Sequence, residues 1–196
     1  MTQYILSNKQ MAKADLLTIE SGISSLDLMF NAGKKVFDNL PIQRGKKALF
    51  ICGPGNNGGD GYVAADLLSK QGMEIDIYCP ISKAKESNDN LYYKQKLNNS
   101  LFVSKIKNIT NYCYLVDALF GTGLSRTMSG DLISLINNIN NSKLDVYSVD
   151  IPSGINGDTS TVLGDAFKAL KTITFFNKKK MSLFISWKKI LWRNSS

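Results

Sequence analysis

The amino-acid sequence predicts an α/β fold with three layers, α/β/α, around a largely parallel central sheet. Three observations predict it. Short apolar runs of strand length alternate with stretches of helical periodicity. Runs such as Lys47–Cys52 (KALFIC) are apolar almost throughout, as in strands buried on both faces. Three of the runs stop abruptly in glycine-rich or polar loops. Strands that alternate with helices form a mostly parallel sheet covered on both sides. Right-handed crossovers then set every C-terminal strand end along one edge, and ligands bind there, near the point where strand order reverses.

From Ser7 to Glu20, Met11, Ala14, Leu17 and Ile19 fall near helical spacing, with Ser7 or Asn8 as N-cap. Ser25 to Leu40 carries Leu28, Met29, Ala32, Val36 and Leu40 on one side of a second helix. Lys47–Cys52 is a strand and ends in GPGNNGGDG; helical periodicity resumes at Tyr62 and runs to Lys70. Glu74–Cys79 is the next strand. Ile81 to Ser100 is polar and reads as a loop with a solvent-facing helix. Phe102–Ile106 and Tyr112–Leu119 are strands, and the second runs into GTGLSR. Asp131–Ile139 is amphipathic. Asp145–Ile151 is a strand stopped by Pro152-Ser153-Gly154, and Lys171–Phe176 is the last strand. The chain of 196 residues contains no internal repeat and fits one domain, residues 1–180, followed by a basic tail, 181–196.

Composition narrows the chemistry. The sequence has no histidine, which excludes Ser-His-Asp triads, Cys-His dyads and histidine-ligated zinc or iron. Proton transfer falls to carboxylates, lysines, tyrosines or water. Cys52, Cys79 and Cys113 lie in apolar strand-like runs and read as reduced, structural thiols of a cytoplasmic protein. The N-terminus lacks the basic start and apolar stretch of a secretory signal, and no apolar run is long enough to span a bilayer. Six of the eight net positive charges follow Asn177, so the rest of the chain is nearly balanced. Neither nucleic acid nor membrane is an expected partner of the domain.

Three loops carry the chemistry, and a parallel sheet brings them together. Gly53 to Gly61 holds five glycines, two asparagines and one aspartate between a strand and a helix. Glycines there allow positive φ and close approach of a ligand to the backbone, and the helix N-terminus favours phosphate. The loop is neither a P-loop nor the usual G-x-G-x-x-G fingerprint. In the second loop Asp117 ends a strand and Arg126 is placed to meet phosphate. In the third, Asp150 ends a buried strand before a proline-fixed turn; a carboxylate there is costly unless paired or functional. Asn57, Asp117 and Ser153 together supply oxygen donors suited to an alkali or alkaline-earth cation; the residues alone leave potassium, magnesium and no metal open.

The ordered segments GPGNNGGDGYVAADLL, VDALFGTGLSR and VDIPSGINGDT, with SGISSLDLMFNAG upstream, resemble the NAD(P)HX epimerase family, the YjeF N-terminal domain. Resemblance runs from about Ser7 to Lys179, and Phe30 departs from the acidic residue expected after Leu-Met. It implies a Rossmann-like fold and an isomerase that interconverts the R and S epimers of hydrated NADH and NADPH, so that a separate ADP- or ATP-dependent dehydratase can repair the S form. By matched position, Asn56, Asn57, Gly58, Gly59 and Asp60, with Gly121, Thr122, Gly123, Leu124, Ser125, Arg126 and Thr127, bind the dinucleotide. Asn57, Asp117 and Ser153 hold potassium, and Asp150 both faces the ligand and serves as the catalytic group. A homodimer is expected, and the dehydratase domain fused to this module in many bacteria is not in this sequence.

After NKKK the tail MSLFISWKKILWRNSS no longer resembles the family. A run of adenines before Met181 and one inserted base account for it, since dropping an adenine from one permitted coding restores a proline-glycine segment. The competing reading is a basic amphipathic tail whose Trp187 and Trp192 touch a membrane surface or partner. Against the enzyme stand two other functional readings: a catalytically inactive nucleotide-binding or protein-interaction module, and the remnant of a decayed gene.

Overall fold

Six strands and five α-helices make up the fold in a computed structural model that describes residues 8–81 and 84–174. The tail at 181–196, and with it the reading of an altered frame, lies outside the described residues, as do Phe175 and Phe176 of the last expected strand. Helix α1 spans Asn8–Glu20 and α2 spans Ser25–Phe37, the latter capped by Ser24, whose hydroxyl accepts the Asp27 N–H at 3.1 Å. The rest follows as β1 (Lys47–Cys52), α3 (Asn56–Lys70), β2 (Glu74–Tyr78), α4 (Asn88–Gln95), β3 (Phe102–Val103), β4 (Tyr114–Ala118), α5 (Gly130–Asn141), β5 (Val146–Val149) and β6 (Lys171–Ile173).

All neighbours pair in parallel, in the order β3-β2-β1-β4-β5-β6. That is the order of doubly wound dinucleotide-binding sheets, and its switch point lies between β1 and β4. Strand faces alternate as the pleat demands. Ala48, Phe50 and Cys52 of β1, with Tyr114, Val116 and Ala118 of β4, pack with Val36, Tyr62 and Leu68 from α2 and α3. Leu49, Ile51 and Leu115 turn the other way, onto Leu132, Ile136 and Ile139 of α5. Covering both faces is what makes the central strands apolar at nearly every position. Among the described residues no helix is long and apolar enough to cross a membrane.

Four expectations change. The first loop is shorter than the sequence implies, because α3 already begins at Asn56, inside the glycine run. Strand β3 stops at Val103, since Ser104 and Lys105 turn out to solvent. Leu17 and Ile19 of α1 are exposed, as is Leu16, so among the described residues only Met11 and Ala14 of its apolar positions are half-buried. And α4 is not merely solvent-facing: Asn90 within it is wholly buried.

Candidate functional site

The glycines of the first loop act by packing. None of Gly53, Gly55, Gly58, Gly59 and Gly61 has positive φ. A Cβ on Gly53 would run into the Leu119 carbonyl across the switch point, one on Gly58 into the Gly53 carbonyl, and one on Gly59 into the Met29 sulfur. On Gly61 it would stand 2.6 Å from the Ala118 Cβ. Glycine therefore lets the first turn of α3 sink between β1, β4 and α2. Gly55, the N-cap, faces open space and offers no side-chain cap, which leaves the positive end of α3 directed outward with no acid in its first turn.

Asn90, which sequence reasoning passed over, fastens this turn. Its amide donates to the Gly53 carbonyl at 3.1 Å and the Gly55 carbonyl at 2.8 Å. Ser87 assists, its N–H on the Pro54 carbonyl and its hydroxyl on Asn56 Oδ1 at 2.8 Å. Only a polar residue with helical neighbours marks Asn90 in the sequence, and its distance of more than thirty positions from the loop hides the contact.

The third loop reaches the same place by a strained route. Asp150 has φ 64°, in the left-handed region, at the apex of a three-residue turn in which Ile151 N–H bonds the Val149 carbonyl at 2.7 Å. This turn swings the Asp150 carboxylate toward the second loop, where its Oδ2 accepts the Thr122 N–H at 3.3 Å. A Cβ on Gly121 would lie 3.1 Å from Asp150 Oδ2 and 3.5 Å from Asn57 Oδ1. Gly121 thus sits between Asn57 of the first loop and Asp150 of the third. Asn57, Gly121, Thr122 and Asp150 are all half-buried, so the meeting point is open to a ligand.

Behind it lies a buried knot. Asp117, fully buried, accepts from Ser153 N–H (2.8 Å), Ser153 Oγ (2.6 Å), Ser148 Oγ (2.8 Å) and Leu119 N–H (3.3 Å). Burial nevertheless outweighs these donors and raises its carboxyl to about 6. Ser153 also accepts the Phe120 N–H at 2.8 Å, tying the second loop to the third. Ser148 is a further residue the sequence did not mark; it faces Asp117 because β4 and β5 pair in that register. Asp60 is buried in α3, and desolvation, then the nearby Asp150 and Asp15, push its carboxyl well up.

The remaining candidates spread outward. The Leu124 side chain is buried in the α5-side core, so only its backbone remains for a ligand; its carbonyl accepts from Asn156 Nδ2 at 3.2 Å. Gly123, Ser125, Arg126 and Thr127 are exposed.

The donor chemistry was tested against a cation. Among the described residues no three His, Cys, Asp or Glu side chains gather around a metal position. Asn57, Asp117 and Ser153 are oxygen donors of low total charge, which fits an alkali ion. Asn57 Nδ2 is buried with no hydrogen-bond partner. A half-turn of the amide sets an oxygen at that position, an acceptor that a cation would satisfy. Ser153 can turn its proton to the Phe120 carbonyl at 3.1 Å and so release one Asp117 oxygen. The set fits.

Residues 25–181 match the family model described as YjeF-related protein N-terminus. The chain is 37% identical over 180 residues to a Lentilactobacillus buchneri protein named NAD(P)H-hydrate epimerase, covering 89% of this chain and 83% of that one. An Oenococcus oeni protein of the same name is 38% identical over 185 residues, covering 91% and 88%. A Thermofilum pendens protein, named bifunctional NAD(P)H-hydrate repair enzyme Nnr, is 38% identical over 172 residues; the match covers 79% of this chain and 32% of that larger protein. In fold, the crystal structure of yeast ynu0 is similar with a TM-score of 0.77 at 24% identity, over 93% of this chain and 84% of the yeast one.

Proposed function

The chain belongs to the family of YjeF-related N-terminal domains, and on that premise we propose that it interconverts the R and S epimers of hydrated NADH and NADPH. The observation that carries this reading is the placement of Gly121 between Asn57 and Asp150, at the switch point of the sheet. A dinucleotide laid across the switch point meets the uncapped N-terminus of α3 with its pyrophosphate, where backbone N–H groups and the helix dipole favour anions. Asn56 to Asp60 and Gly121 to Thr127 line its path, with Arg126 free to swing onto phosphate from the exposed end.

The reacting carbon bears a hydroxyl and is bonded to the ring nitrogen. The nitrogen lone pair drives out the hydroxyl as a proton reaches the leaving oxygen, and water then adds to the opposite face and gives up a proton. Asp150 is the group that delivers and recovers that proton. Its turn conformation fixes the carboxylate at the ligand-facing end of β5, and the Thr122 N–H holds its orientation. Asn57, Asp117 and Ser153 hold potassium, which supplies a fixed positive charge that stiffens the junction of the loops.

Exchange between the two epimers, followed by chromatography with and without potassium, tests the reading. Asp150→Asn should retain the fold and lose about 100-fold or more in exchange rate; an undiminished rate would sink the assigned role. Two features of the cell setting follow. A second copy of the chain covers the exposed Leu16, Leu17 and Ile19 of α1, making a homodimer. The protein works in the cytoplasm, where buried thiols such as Cys52 stay reduced, and hands the S epimer to a separate dehydratase.

A further inference from the structure

The connection from β3 to β4, like that from β5 to β6, lacks the α-helix that joins other neighbouring strands. β1 reaches β2 through α3, and β4 reaches β5 through α5. Between Val103 and Tyr114 there is only a 3₁₀ turn, Ile109–Asn111. This segment crosses the sheet without filling the space beneath it, and a cavity of about 680 Å³ lies between it and the first residues of β1 and β2. That volume is in the range of small-molecule sites.

The lining of the cavity is rich in charge. Within the lining Lys47 pairs with Asp76 at 3.2 Å and Glu74 at 3.6 Å, and the Tyr112 hydroxyl donates to Asp76 at 2.7 Å. One ammonium faces two carboxylates, so this group keeps a single net negative charge. Lys46, Lys105 and Lys107 also line the cavity. All three are exposed, and among the described residues none of them forms an ion pair. With four lysines against two carboxylates the lining is net positive, and its three unpaired ammonium groups around a concave, ligand-sized space form a receptor for adjacent negative charges. Phosphate oxygens suit them, because each ammonium is a compact charge with three donors and needs no planar partner. None of the residues placed at the loops of the switch point lines this cavity.

We propose that this cleft is a second binding site, specific for a small polyphosphate-bearing molecule, at the edge of the sheet opposite the reaction site. Its occupant carries two or more linked phosphates, either as a nucleoside diphosphate or as a free polyphosphate.

Calorimetric titration of the full chain at low salt tests it, with ADP, tripolyphosphate and uncharged adenosine as probes. ADP and tripolyphosphate should each bind saturably and adenosine should not. Lys105→Ala/Lys107→Ala should weaken binding by about tenfold, and adding salt should weaken it further. Arg126→Ala should leave it unchanged. Because the lysines are solvent-exposed, the double variant should melt with the parent and keep its epimer exchange rate. Tighter binding of ADP than of tripolyphosphate identifies a nucleotide occupant; equal binding identifies the phosphate chain alone. No saturable binding of either anion overturns the proposal. So does binding that is unchanged in the lysine variant, or lost in Arg126→Ala, which would place the anions at the reaction site instead.

Discussion

At the C-terminal edge of the sheet, Asp117 and Ser153 are buried in a closed set of hydrogen bonds, and glycines bring backbone against backbone. At the N-terminal edge, Lys46, Lys105 and Lys107 stand in solvent around an open cleft. The strands are the same; the tolerance for change is not. Parallel strands deliver loops to both edges, but only one edge is over-determined by contacts from β1, β4, β5, α3 and α4 together. Such over-determination is what sustains Asp150 in a left-handed conformation that an isolated loop would abandon. The looser edge has no comparable strain among its lining residues and leaves space instead.

The sharpest way to break the contrast is to add one carbon to each kind of glycine. Gly58→Ala drives a Cβ into the Gly53 carbonyl and should cost about 3 kcal/mol in chemical unfolding. Gly55→Ala, with open space at the same loop, should stay within about 0.5 kcal/mol. Equal effects would mean that packing does not explain the glycine run.

Acidity offers a second lever. Asp117 has a folded value of about 6 against 3.8 for the free group. Folding thus favours its protonated form, so its stabilising contribution is complete below about pH 4 and is lost as pH rises through about 6. In potassium-free buffer that loss amounts to about 3 kcal/mol. Asp117→Asn should flatten the fall in melting temperature over this window. Asp60 shifts in the same direction, so Asp60→Asn supplies the parallel control. A slope unchanged in both variants would contradict the account.

Removing the clamp should act less strongly. Asn90→Ala deletes two bonds to the Gly53 and Gly55 carbonyls and should cost about 2 kcal/mol. It should also raise KM for epimer exchange, because the loop it steadies loses its set. At the opposite edge, Tyr112→Phe removes one partly exposed bond to Asp76 and should cost no more than about 1 kcal/mol, with exchange unaffected. A larger loss from Tyr112→Phe than from Asn90→Ala would invert the comparison.

Much of this architecture was legible in advance. The strand at Lys47–Cys52, the amphipathic α5 and the three loops announce themselves through periodicity and abrupt polarity, because one sheet covered on both faces imposes a local signature. The apolar positions of α1 misled, since Leu17 and Ile19 have helical spacing yet lie exposed: spacing records an apolar face, not what covers it. The glycine run predicts positive φ and close approach of a ligand, whereas Gly58, Gly59 and Gly61 are helical, without positive φ, and needed for clearance. Composition does not separate those two uses of glycine.

The sequence by itself determined the layers, the parallel sheet and the three segments at its functional edge, for these follow from patterns within a few residues of each other. Only the tertiary structure decided that Asn90 would hold the carbonyls of Gly53 and Gly55, and that Ser148 would meet Asp117. It alone left a cavity beneath the crossing after β3. Those outcomes depend on strand register and on which helix lies over which loop, relations between residues tens of positions apart that no local pattern encodes.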